Sequence, residues 1–117
     1  MNKGNKLHKI GRNREQRKAL LRTLANDLIL RERITTTEAK AKALQPFVER
    51  MVTHSKKGSV ASRRYVLRFL TKNATHKLFD TLADTYQTRV GGYTRIIKAP
   101  IRSSDVSKMA IIELVKE

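Results

Sequence analysis

Apolar residues recur at helical spacing through most of this chain, and the last quarter changes to the shorter runs typical of strands. Leu20, Leu21, Leu24 and Leu28 fall on one stripe with Ala25 beside it, and Asn13 stands where an N-cap belongs, so a helix is predicted over 14–30. Arg31-Glu32-Arg33-Ile34-Thr35-Thr36-Thr37 becomes β-branched towards its end and predicts a short strand. Thr35 and Glu38 then have capping-box spacing, and Leu44, Phe47, Val48, Met51 and Val52 follow i, i+3, i+4, i+7, i+8. A second helix starts there. Pro46 lies inside its stripe and predicts a kink or a break. Lys56-Lys57-Gly58 closes it, with cations in the last turn and glycine just beyond.

A third helix is expected over 60–70, burying Val66, Phe69 and Leu70. Asn73 is placed to cap a fourth, with Leu78, Phe79, Leu82, Ala83 and Tyr86 inward. Gly91-Gly92 ends the helical period. Strands are predicted over 93–98 and 109–115, joined by a segment holding Pro100, Ser103, Ser104 and Asp105. The last strand is nearly all apolar, which implies burial on both faces. Helices first and strands last give an α+β fold in the order α-β-α-α-α-β-β. At 117 residues the chain fits a single domain over 1–117. Residues 1–12, with Gly4 and Gly11 and no period, read as an extended basic arm on a globular body at 13–117.

Charge changes this picture most. Lys plus Arg number 26 against 10 Asp plus Glu, a formal charge of +16. Such an excess repels itself in the folded state, and a polyanionic partner that neutralises it is the simplest reason to keep it. The excess is clustered. Lys3, Lys6, Lys9, Arg12, Arg14, Arg17, Lys18 and Arg22 face only Glu15 within residues 1–22. Lys56, Lys57, Arg63, Arg64, Arg68 and Lys72 have no acid within 53–72, and no Asp or Glu at i±4 inside the block. The stretch between is nearly balanced. Arg14, Lys18 and Arg22 repeat at i+4 beside the leucine stripe, so one side of the first helix can enter a core while the other meets phosphates.

Other chemistry has little to stand on. Cysteine is absent, which removes disulfides, thiolate nucleophiles and Cys-based zinc sites. His8, His54 and His76 are too scattered for metal ligation. His8 belongs with the basic arm, and the other two are expected on helix surfaces. Asp80 and Asp84 share a helix face and are expected to meet solvent or a cation. No phosphate-cradling GxxxxGK[ST] or nucleophile motif occurs. The expectation is no enzyme, no cofactor, no metal and no small-molecule substrate. No apolar run approaches a ~20-residue membrane span, and the N-terminus lacks the apolar core of a signal peptide. These point to a cytosol-like compartment. Gly91-Gly92-Tyr93-Thr94-Arg95 leaves two readings open: Tyr93 stacks on a base with Arg95 on a phosphate, or Tyr93 enters the core.

Four segments, in this order and spacing, resemble one family. They are Gln16-Arg17-Lys18-Ala19-Leu20-Leu21-Arg22-Thr23-Leu24, Glu32-Arg33-Ile34-Thr35-Thr36-Thr37-Glu38-Ala39-Lys40-Ala41-Lys42, Gly91-Gly92-Tyr93-Thr94-Arg95-Ile96 and Met109-Ala110-Ile111-Ile112-Glu113-Leu114-Val115. Together they are similar to the bacterial large-subunit ribosomal protein numbered seventeen, over nearly the whole chain. The resemblance implies a structural component of the 50S subunit in the bacterial cytoplasm or an organelle. It would bind 23S rRNA near the outlet of the peptide exit tunnel beside other large-subunit proteins, and no homo-oligomer is expected. The resemblance also implies a two-layer α/β fold, a small sheet covered by helices, and places RNA contacts on the basic N-terminal segment, on Thr36, Thr37, Lys40 and Lys42, and on Tyr93, Thr94 and Arg95. The chain departs from the family in reading Asn2-Lys3-Gly4 in place of an Arg-His pair, and Arg102-Ser103-Ser104-Asp105 in place of a Gly-Asp turn. The competing function is a nucleoid-type DNA-binding protein, which shares the charge but prefers no folded RNA.

Overall fold

A computed structural model describes residues 13–102 and 107–116. The basic arm at 1–12, including Lys3, Lys6, His8, Lys9 and Arg12, lies outside the described residues, as does the turn at 103–106. Both departures from the family pattern therefore fall largely outside them. Helix α1 (Arg14–Arg31) leads into strand β1 (Arg33–Thr37), then helices α2 (Glu38–Lys57) and α3 (Val60–Leu67). The fourth helix has three parts: α4 (Lys72–Lys77), a π-helical stretch over Leu78–Leu82, and a last turn, α5 (Ala83–Thr85). Strands β2 (Thr94–Arg102) and β3 (Ser107–Leu114) follow. The α+β class and the order of elements are as the residue pattern predicts.

The caps show how sequence fixes boundaries. The Asn13 side chain accepts from the Gln16 N–H at 2.9 Å and starts α1 where expected. Helix α2 is capped by Thr37, whose hydroxyl accepts from the Lys40 N–H, rather than by Thr35. Thr35 and Thr37 both pair with β3, opposite Ile111 and Met109, but Thr37 is the last extended residue, so the N-cap position directly before α2 falls to it. Thr71, not Asn73, caps α4 by accepting from the Ala74 N–H. Helix α3 ends at Leu67 and leaves Phe69 half-buried in the turn that follows. Helix α2 runs unbroken through Pro46. Pro46 and Lys42 are both exposed, so the carbonyl that Pro46 leaves unpaired can bond water instead.

In the fourth helix Ala74, Leu78, Leu82 and Tyr86 are buried at a repeat of four. In a regular α-helix that repeat drifts about 40° per step around the axis. The wider π turn rotates the stripe back towards the core.

The three strands form an antiparallel sheet in the order β1-β3-β2. Burial alternates along β3: Ala110, Ile112 and Leu114 face the helices, whereas Met109, Ile111 and Glu113 stay partly exposed. The apolar run of β3 thus reflects one buried face, not two. Its other face lies under the flanking strands' outward residues Arg33, Thr35, Arg95 and Ile97, which are exposed. Strand β2 also extends through Pro100, which sits at a register irregularity between Ala99 and Arg102. The core joins Leu28 and Ile29 of α1, Leu44, Val48, Met51 and Val52 of α2, Val66 of α3, and Leu78, Leu82 and Tyr86 of the fourth helix. Burial pushes the Tyr86 phenol up to about 12, with the Glu32 carboxylate adding to it.

Glu32 fastens several elements at once. It ends α1 in the left-handed region at φ 71°, and its N–H donates to the Leu28 carbonyl. Its own carbonyl accepts from the Leu114 N–H at 3.0 Å. Its carboxylate meets Lys116 and, at 2.6 Å, Lys77. Lys116, followed by Lys77, holds the carboxyl below the usual carboxylate range. A depressed folded value contributes stability above the ordinary carboxylate pKa, and that stability is lost as pH falls through the folded value. Chemical denaturation from pH 6 to pH 3 should show Glu32→Gln less stable than wild type by about 1 kcal/mol near neutrality, the gap closing in acid. Separately, Glu32→Gly should be more stable than Glu32→Ala by about 1 kcal/mol, because the left-handed backbone costs a Cβ-bearing residue more.

Candidate nucleic-acid interface

The first helix divides along its length. Ala25, Leu28 and Ile29 are buried and Leu21 and Leu24 pack against the core, which anchors the second half. In the first turns Asn13 to Gln16, Lys18 and Ala19 are exposed and Arg17 is half-buried. Arg14, Lys18 and Arg22 form an exposed row about 12 Å long on this half of the helix. The Arg22 guanidinium lies 5.6 Å over the Phe69 ring. The predicted division into a core side and a cationic side is what the helix shows.

The second basic block separates into two sets. Lys57, Arg64 and Arg68 are exposed. Lys56 turns inward: its ammonium donates to the Arg89 carbonyl and to the Tyr93 hydroxyl, and lies 5.1 Å over the Tyr93 ring. Arg63 lies 4.8 Å over Phe79 and within 3.9 Å of the Asp80 carboxylate, which His76 also meets at 2.8 Å. Asp80 is seventeen residues from Arg63, so spacing within one helix could not reveal this pairing. His54, expected on a helix surface, is half-buried with its ring 4.1 Å from Tyr65. Burial first, and then Lys57 and Arg50, hold its pKa below the usual histidine value, favouring the neutral ring.

The segment Gly91-Gly92-Tyr93-Thr94-Arg95 is a structural clasp. Tyr93 is 2% exposed, its ring 5.2 Å from Tyr86 at 61°. A ring so enclosed offers no face to a base, which corrects the stacking expectation in favour of the core reading. Thr94 is also buried, and α2 grips it. The Glu49 carboxylate accepts from the Thr94 hydroxyl at 3.0 Å and its N–H at 3.3 Å, while Gln45 donates to its carbonyl at 3.3 Å. Arg95 remains exposed and donates to Glu113 at 2.6 Å. Gly92, at φ 64°, supplies the left-handed turn that leads into the clasp.

The threonine segment is similar. Thr36 is buried and Thr37 is spent on the cap of α2. Lys40 is half-buried, and Lys42 is exposed in an ion pair with Glu38 at 3.6 Å. Two cations escaped the sequence reading. Arg33 on β1 approaches Glu113 at 3.4 Å, so a single carboxylate is flanked by Arg33 and Arg95 on the open sheet face. Strand alternation is the signal that would have paired them. Arg50 is exposed on α2 beside the α1 row. The positions brought together are therefore Arg14, Lys18, Arg22 and Arg50 on one side, and Arg33 with Arg95 on the sheet.

Fold and surface define a class: a small helix-over-sheet body whose cationic side chains are held out from a packed core. The family model of ribosomal protein L17 matches residues 20–115, and the chain belongs to that family. It is 50% identical over 113 residues to the large ribosomal subunit protein bL17 of an Exiguobacterium species, covering 92% of this chain and 97% of that one. The bL17 of a Hydrogenobaculum species is 54% identical over 107 residues, covering 90% and 91%. That of Halalkalibacterium halodurans is 48% identical over 116 residues, covering 92% and 97%.

The clasp makes a prediction about fold rather than RNA contact. Glu49→Ala should cost about 1–3 kcal/mol, because it leaves the buried Thr94 hydroxyl and N–H without their acceptor. Denaturant melts would show the loss, and amide exchange at Thr94 should accelerate.

Proposed function

We propose that this protein is a structural constituent of the large ribosomal subunit that binds 23S rRNA by phosphate neutralisation and supports translation. Membership of the ribosomal protein L17 family and relatives named as large-subunit proteins support the assembly. The single observation that carries the mechanism is the row Arg14, Lys18 and Arg22, exposed along the first half of a helix whose second half is locked in the core. Lys and Arg at fixed spacing displace condensed counterions without first having to be ordered. Lys57, Arg64, Arg68, Arg33 and Arg95 supply further exposed cations. We place the protein near the outlet of the peptide exit tunnel in the cytoplasmic ribosome, by likeness to the family. Its role is architectural: rRNA segments pack against a small rigid body and against neighbouring large-subunit proteins. Among the described residues no helix is long and apolar enough to cross a membrane.

Replacing Arg14, Lys18 and Arg22 together with alanine should leave the circular dichroism spectrum unchanged and weaken binding to 23S rRNA. The slope of log affinity against log salt should fall by roughly 2–3, about one per phosphate contact. Unchanged affinity and slope would remove α1 from the interface. Competition at ~150 mM salt separates the nucleoid reading, because neutralisation alone discriminates poorly between structured rRNA and duplex DNA.

A further inference from the structure

Helices α1 and α2 and the turn between α3 and α4 meet around a groove of about 220 Å³, lined by Lys18, Leu21, Arg22, Phe47, Arg50 and Phe69. Its chemistry is divided. Leu21, Phe47 and Phe69 are half-buried and form an apolar floor on the outer edge of the core. Lys18, Arg22 and Arg50 are exposed around it, and among the described residues no carboxylate lines it. Three cations from two helices surrounding an aromatic floor differ from a plain solvated helix face. The occupant such a groove fits is both flat and anionic.

The floor is held in place from within. Phe47 and Phe69 meet edge to face at 5.7 Å, and Tyr65 meets Phe69 at 5.2 Å. The Asn26 side chain accepts from the Thr71 N–H at 2.9 Å and so ties the turn that carries Phe69 to α1. Arg22 already lies over the Phe69 ring, where its charge is available beside an aromatic surface.

We infer that this groove receives one unpaired nucleotide of the bound RNA, its base seated against Phe47 and Phe69 and its flanking phosphates on Lys18, Arg22 and Arg50. A duplex face presents phosphates but keeps its bases stacked inside, so it has nothing to lay on the two phenylalanines. An extruded base offers a π-face and is tied to a phosphate on either side, which answers both halves of the groove. An acidic protein segment would answer only the cations. The size agrees with a single base, because the groove is smaller than the ~300–1,000 Å³ of sites for whole small molecules.

This inference rests on the rRNA-binding reading, and the following experiment separates the two. Two RNA hairpins of equal length, one fully paired and one with an unpaired bulge, are titrated at ~150 mM salt with the full chain and with its Phe47→Leu and Phe69→Leu variants. Each variant should lose roughly 5–150-fold in affinity for the bulged hairpin, the worth of one stacked base, with its salt slope unchanged and its affinity for the paired hairpin kept. Equal losses on both hairpins, or none on either, overturn the inference while wild-type binding still supports the rRNA reading. Failure of the wild type to bind either hairpin or 23S rRNA overturns both. A photoreactive phenylalanine analogue at position 69, activated in purified large subunits, is independent of any change in fold stability. Crosslinking to an rRNA nucleotide supports the inference, and crosslinking to a protein chain contradicts it.

Discussion

Everything in this molecule hangs on the burial of α2. Leu44, Val48, Met51 and Val52 are fully enclosed between the inner face of the sheet and the other helices. Each such side chain is worth about 1.5–3 kcal/mol removed from water. With that seam fixed, the remaining faces of α2 act as a frame. Gln45 and Glu49 grip Thr94, Lys56 reaches Arg89 and Tyr93, and Phe47 with Arg50 forms one wall of the groove beside α1. One helix thus sets where the β2 strand begins, where the aromatic floor lies and where several cations stand.

The charge acquires meaning from that frame. A protein carrying +16 gains from any polyanion, and a loose cationic tail would gain as well. Here part of the basic content is consumed internally. Lys56 and Arg63 support aromatic rings, and Lys77 and Lys116 hold Glu32. What remains exposed is a smaller and better-placed set. Its value lies in the order already imposed on it, because side chains fixed before binding lose less freedom when they meet RNA.

Much of this was legible from the residues, and the misreadings share one cause. Local signals located α1 and α2 nearly to the residue, since Asn13, Gly58 and the i, i+4 stripes act within a single helix. The order of elements followed from the change of period. What could not be read was any choice decided by a distant partner. Tyr93 looked as suitable for a base as for the core until Tyr86 and Lys56 enclosed it. Thr35 and Thr37 both suit a cap, and pairing with β3 that carries the strand on to Thr37, opposite Met109, left the task to Thr37. Arg63 looked unpaired because Asp80 lies on another helix. The apolar run of β3 gave burial but not its one-sidedness, which depends on helices covering only the inner face. Lys56, a suggested contact, proves to be a strut, while Arg50 gained importance only from its neighbours.

On the proposed function, fixed placement rather than the amount of charge makes this surface selective for rRNA. A core substitution that keeps every cation tests it directly. Leu44→Asp changes the formal charge by one unit but places a carboxylate where Leu44 is fully buried, and it should unfold the body. Measured against 23S rRNA and duplex DNA at the same salt, the variant should still bind both but lose its preference for rRNA. An unfolded variant that kept the wild-type preference would overturn this role for fixed placement, because loose charge would then suffice.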